Sequence, residues 1–278
     1  MPLDFRYHLA SLTAVFGALI IGILVGVAMK EGPALSGQVE DLRRDFHRYD
    51  SIHNIDQRTD LFNARIQGAV VRNRLFGRNI ALVCNPLTTS ADELPAVRRT
   101  LEDAGATVTT EILLKPALEQ VTPQQLQKVT QQAAFPNMAT QITTDDLLNR
   151  LAAAIGSSTA AIIPVLQQTN LLKVNGDPTK PISAIVYLGG IDDAGKYLND
   201  IDIPFLHGCT QRGITVAATE CVESEQSAMA EYKKVAPITI DNIDRAAGRI
   251  AMVLALSTGQ HGNYGYKDTA EEVVPDCE

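Results

Sequence analysis

The sequence predicts an α/β protein: an N-terminal transmembrane helix, a coiled-coil helix, then a mostly parallel flavodoxin- or Rossmann-like α/β sandwich. Three observations carry this. Leu9 to Met29 contains no Asp, Glu, Lys, Arg or His. Apolar residues then recur at heptad spacing from Leu35. Beyond residue 77, short β-branched runs alternate with helical stripes, the pattern of a parallel sheet covered on both faces. The implied divisions are 1–30 (tail and anchor), 31–76 (coiled-coil helix), 77–260 (α/β domain) and 261–278 (C-terminal tail).

As a helix, the first run reaches about 32 Å, matching a hydrocarbon core of about 30 Å. A secretory leader has a shorter apolar region, of about 7–15 residues. A single-pass anchor in the cell membrane is therefore expected, although Gly26 and Ala28 leave a peptidase site open. Gly22 and Gly26 have the Gly-x-x-x-Gly spacing that lets two helices approach closely. The short tail with Arg6 is expected inside and the body outside, despite Arg43 and Arg44 beyond the run.

Leu35, Val39, Leu42, Phe46 and Tyr49 follow a 4-3-4-3 spacing, a heptad seam. Ile52 arrives one residue early, a local overwinding, and Ile55, Phe62, Ile66 and Ala69 or Val70 continue the row. Self-association through this helix is one reading; folding back onto the protein's own domain is the other. His47 and His53 lie six apart and do not share a helix face as a metal pair would.

Within the domain, Asn79–Cys84, Thr107–Leu114, Ile182–Leu188, Ile214–Ala218 and Ile238–Ile240 read as strands, for which a 2-1-3-4-5 order is expected. Ala91–Ala104 reads as a helix stopped by Gly105. Thr122-Pro123 and Thr144-Asp145-Asp146 read as helix starts. Ala160–Leu172 is apolar and irregular around Pro164, and Asn175–Pro178 reads as a turn. Helices are expected from Phe205 to Arg212, near Gln226–Lys234, and from Arg245 to Leu256 with Asp244 as cap. Lys267–Glu278 reads as a solvated acidic tail.

Composition narrows the function classes. The 278 residues carry a net charge of −8 with no Trp, and no basic stripe suggests nucleic acid as a partner. Cys84, Cys209, Cys221 and Cys277 are too few and scattered for a disulfide scaffold, although a Cys209–Cys221 bridge is conceivable. There is no Gly-x-Gly-x-x-Gly, Walker sequence or Gly-x-Ser-x-Gly elbow, so no catalytic residues are assigned and no enzyme is expected. Gly189, Gly190 and Asp192 sit where open α/β sheets keep a ligand crevice, and a plain tight turn also explains them. His207 and Cys209 form the only close pair of soft metal ligands; two ligands alone under-coordinate a metal.

Arg6, His8, Ser11, Leu12, Ala14, Val15, Phe16, Ala18, Leu19, Gly22 and Gly26 resemble the opening of the MctB family of mycobacterial copper transporters. The ending is similar too: Asp241, Ile243, Asp244, Gly248, Arg249, Ile250, Leu254 to Leu256, then Gly262, Tyr264 and Gly265. The middle, from about Leu114 to Pro181, shows no residue-by-residue match. The resemblance implies copper export or homeostasis, with copper transported or transiently bound and no resident cofactor. The anchor itself offers only Ser11 and Thr13 as polar side chains, so a pore would need oligomerised anchors or an envelope partner. The alternative is a non-enzymatic envelope scaffold that recruits cell-wall or division proteins.

Overall fold

The computed structural model describes residues 15–21, 23, 54–87, 92–132, 142–158, 160–191, 195–223 and 226–276. The chain divides into two compact units, Met1–Thr59 and Asp60–Glu278. In the first, residues 15–21 and 23 are helical. Among the described residues no helix is long and apolar enough to cross a membrane. Most of the run Leu9–Met29, the seam Leu35–Tyr49, His47, His53, Asp192 and Cys277 lie outside the described residues.

The second unit is built on a seven-stranded sheet: β1 (Asn79–Cys84), β2 (Thr107–Leu114), β3 (Leu172–Gly176), β4 (Ala184–Leu188), β5 (Thr215–Thr219), β6 (Ile238–Ile240) and β7 (Gly262–Tyr264). Its order is β3-β2-β1-β4-β5-β6-β7. The five strands legible in the sequence hold the expected 2-1-3-4-5 order and are all parallel. Two further strands extend the edges: β3 pairs antiparallel with β2, and β7 pairs parallel with β6.

Alternation along the strands loads both faces. Ala81, Val83, Ile185, Tyr187, Val216 and Ala218 enter one core, and Ile80, Leu82, Ala184, Val186, Leu188, Ala217, Ile238 and Ile240 enter the other. A parallel strand buried on both sides reads as a continuous apolar run, which is why these segments stand out in sequence.

One helix, α1, spans residues 54–71. From Asp60 onward it packs on its own domain. Val71 is fully buried, as is Leu75 just beyond it. The Gln67 side-chain amide donates to the Thr100 hydroxyl at 2.8 Å, Arg249 donates to Gln67, and Asp60 pairs with Arg245. This face joins α2 (Glu93–Asp103) and α8 (Ala246–Thr258) over one side of the sheet. The other side is covered by α4 (Thr144–Ala154), α5 (Ile162–Gln168), α6 (Ile203–Thr210) and the short α7 (Met229–Tyr232), while α3 (Pro123–Gln132) lies against α5.

Local chemistry explains the boundaries. Thr143 and Asp146 form a reciprocal capping box at the start of α4, which holds the Asp146 carboxyl below its usual range. Gly105, Gly156 and Gly213 take positive φ where helices stop. The irregular apolar stretch resolves into α5, because Pro164 falls in the first turn, where its missing N–H costs no helical bond. The turn read at Asn175 lies partly in β3, whose Leu-Lys-Val-Asn alternation buries Leu172 and exposes Lys173 and Asn175. Asp244 is not the cap of α8; Arg245 occupies that position, and the Asp244 carboxylate accepts from the Val222 N–H at 2.8 Å.

Candidate functional site

In this topology a ligand crevice belongs at the carboxyl ends of β1 and β4, where the chain reverses its direction of sheet-building. Asn85 follows β1. Its N–H donates to the Leu188 carbonyl at 2.8 Å, and its Oδ1 accepts from the Leu87 N–H at 3.0 Å. Its Nδ2 is buried without a partner.

Gly189 and Gly190 follow β4, and both are buried. A Cβ on Gly189 would overlap the Tyr232 hydroxyl, and Gly190 takes a φ of 153°. The Gly190 N–H donates to the Tyr232 hydroxyl at 3.0 Å, which in turn donates to the Asp202 carboxylate at 2.6 Å. Tyr187 donates to the other Asp202 oxygen. Burial, then the Asp202 charge, pushes both tyrosine pKa values well up, so the phenols remain proton donors. The two rings meet edge-on at 6.1 Å. The glycine pair therefore admits a buried Tyr–Asp–Tyr network to the end of β4. Asp202 stands between Ile201 and Ile203 in a π-helical turn and gave no sequence signal beyond its apolar neighbours.

The ends of β5 and β6 carry two more buried carboxylates. Glu220 is fully buried and accepts from the Lys267 ammonium at 2.6 Å, the Ser227 hydroxyl at 2.5 Å and the Ala228 N–H at 2.7 Å. Asp241 accepts from the Tyr266 and Lys267 N–H groups at 2.7 and 2.8 Å. The stretch after β7 is thus stitched to the sheet by Asp241 and Glu220, in contrast to a solvated tail beginning at Lys267.

His207 and Cys209 do not converge. His207 and Cys209 both lie on α6, two residues apart and so on different faces. The His207 ring is exposed beside Gln211, while Cys209 is fully buried. Burial pushes the Cys209 thiol up to about 12, against a smaller opposing effect of Arg212. Cys221 is raised as well, first by burial and then by the Glu93 carboxylate. Neither thiol is a ready thiolate at neutral pH. No disulfide joins Cys209 to Cys221, so the conceivable bridge is not formed. Among the described residues no three His, Cys, Asp or Glu side chains are grouped to hold a metal. A groove of about 460 Å³ lies instead at the amino ends of β5 and β6, with Lys233, Lys234 and His261 on its walls.

The C-terminal residue pattern does structural work. A Cβ on Gly248 would overlap the Asn242 carbonyl oxygen, so glycine lets α8 approach the loop after β6. Arg249 donates to the Ile243 and Asp244 carbonyls at 3.1 and 2.8 Å. Gly265 takes a φ of 146° where any side chain would overlap Asp241. Asp241, Gly248, Arg249, Tyr264 and Gly265 together lock α8, β6 and β7.

That pattern extends to whole-chain comparison. The sequence profile of the family described as "Copper transport outer membrane protein, MctB" matches residues 3–275. Proteins named "Copper transporter MctB" from Mycobacterium bovis and Mycobacterium tuberculosis are 24% identical over 305 aligned residues. The alignment covers 95% of this chain and 96% of each relative. The chain belongs to the MctB family.

Proposed function

We propose that this protein takes part in copper export or homeostasis at a membrane and catalyses no covalent reaction. The observation that carries this is the family match along nearly the whole chain, to relatives named copper transporters. A retained single-pass anchor with an extracytoplasmic body fits the uncharged run Leu9–Met29 and the exposed Val15, Phe16, Leu19, Ile20, Ile21 and Ile23 within it. The family description names the outer membrane, which agrees with membrane association. Copper is cargo in this reading, and the pathway is completed by oligomerised anchors or an envelope partner. A strain lacking the gene is expected to become copper-sensitive and to accumulate copper, with both defects reversed by the wild-type gene. Unchanged copper tolerance and content in the deletion strain would remove the copper role.

A second reading is a scaffold that self-associates through the seam helix and recruits envelope proteins. It is favoured by the outward face of α1, where Phe62 stays 61% exposed. Here copper phenotypes arise indirectly through the envelope. Co-purification of wall-remodelling proteins without copper sensitivity on deletion favours it.

A further inference from the structure

The stretch from Leu61 to Arg78 holds Arg65, Arg72, Arg74 and Arg78 and no acidic residue, on a chain of net charge −8. Its apolar residues divide between two faces. Val70, Val71 and Leu75 turn into the domain. Leu61, Phe62 and Phe76 point outward, at 60%, 61% and 81% exposure. Arg65, Arg72 and Arg74 are exposed with them.

Phe76 is not exposed through fraying. It sits in the turn 72–77 between α1 and β1, and that turn is pinned. The Leu75 N–H donates to the Ala104 carbonyl at 2.8 Å, the Phe76 N–H to Asn73 at 3.2 Å and the Arg78 N–H to Leu75 at 3.0 Å. The Arg78 guanidinium is tied to the Leu256 and Ser257 carbonyls at the end of α8. The fold therefore holds one aromatic ring out on a fixed turn that also carries the exposed Arg72 and Arg74.

We infer that this patch docks the domain on an anionic lipid surface, with Phe76 entering the boundary between headgroups and acyl chains. Aromatic rings favour that boundary, and nearby arginines are drawn to anionic headgroups. Charge selects the occupant. A second copy on the same face would set one arginine row, Arg65 and Arg72, beside another, and like charges there repel. A bilayer of acidic lipid complements the row. The inference rests on the membrane reading of Leu9–Met29, and it lays the outward face of α1 along the bilayer.

The chain contains no Trp, so Phe76→Trp introduces a single reporter. The full-length variant is reconstituted into brominated phosphatidylcholine vesicles, with or without one quarter phosphatidylglycerol. In the anionic vesicles emission is expected to shift to the blue and to be quenched severalfold more than in phosphatidylcholine alone. Adding Arg72→Glu and Arg74→Glu is expected to abolish that difference. A Tyr266→Trp chain, which reports from beyond the carboxyl end of edge strand β7, stays unquenched in both. Solvent-like emission of Phe76→Trp in both vesicles, or equal quenching at the two positions, overturns the inference. So does a blue shift that appears in lipid-free detergent and grows with protein concentration, which assigns the patch to a second copy. Vesicle flotation reports on the anchor separately: chains that float while Phe76→Trp remains solvent-like retain the anchor reading and lose the patch.

Discussion

Replacing Lys267 by alanine is expected to cost about 3–5 kcal/mol of stability, the range for removing one partner of a buried ion pair. Glu220 is fully buried and the Lys267 side chain only 16% exposed, so the lost cation leaves a carboxylate without access to water. The Ser227 hydroxyl and the Ala228 N–H stay in place, but neither carries charge. The lysine ammonium also donates to the Cys221 carbonyl at 3.0 Å, so that bond is lost too. Denaturant unfolding of the detergent-solubilised chain measures the loss, and limited proteolysis should show new cleavage after β7. The double change Glu220→Gln with Lys267→Met removes both charges and should lose much less than Lys267→Ala alone. A loss below about 1 kcal/mol for Lys267→Ala would mean that the pair behaves as a surface pair and that the C-terminal stretch is loosely held.

Gly248→Ala is expected to destabilise by about 1–3 kcal/mol, although α8 is a helix and alanine ordinarily gains about 1 kcal/mol over glycine inside one. The new Cβ would overlap the Asn242 carbonyl oxygen, a backbone atom that cannot swing aside as a flexible side-chain tip can. Either α8 or the loop after β6 must shift, and Arg249 would lose its fixed reach to Ile243 and Asp244. Gly68→Ala is the matched comparison. Gly68 also lies in a helix, α1, but a Cβ there meets nothing within 4 Å, so a gain of up to about 1 kcal/mol is expected. Opposite signs at the two glycines would confirm that close approach, not helix propensity, explains Gly248. Two gains would show that α8 is not seated as tightly as the structure has it.

The parallel core was legible because its strands are buried on both faces and read as unbroken apolar runs. The two edge strands were not. In β3 only Leu172 is buried, so its alternation is short and merges into the following turn. In β7 a Gly-Asn-Tyr triplet has no run at all, and its pairing depends on the Asp241 carboxylate holding the chain beyond it. The seam row past Asp60 shows a different limit. Apolar spacing put Phe62, Ile66 and Ala69 or Val70 on one row, but it could not say that Val70 and Val71 face the domain while Phe62 does not, because that choice depends on α2 and α8, distant in sequence.

The site was less legible than the fold. Gly189-Gly190 stood out by position, yet its reason is Tyr232, more than forty residues away, and the lone Asp202 between two isoleucines. His207 and Cys209 stood out by proximity in sequence, but α6 turns one to solvent and the other into the core. The C-terminal Asp, Gly and Arg pattern was visible as a resemblance. Its role in locking α8 to β6 and β7 appears only when the backbone contacts of Gly248 and Gly265 are in place.

One expectation is that copper handling here does not run through a tight site built from this domain's own soft ligands. Its most direct test is a competitive titration of the detergent-solubilised full-length protein against a Cu(I) chelator, repeated with His207→Ala and with Cys209→Ser. Weak binding that neither change alters is expected. Tight one-to-one binding abolished by both would contradict it and make the two residues a metal site.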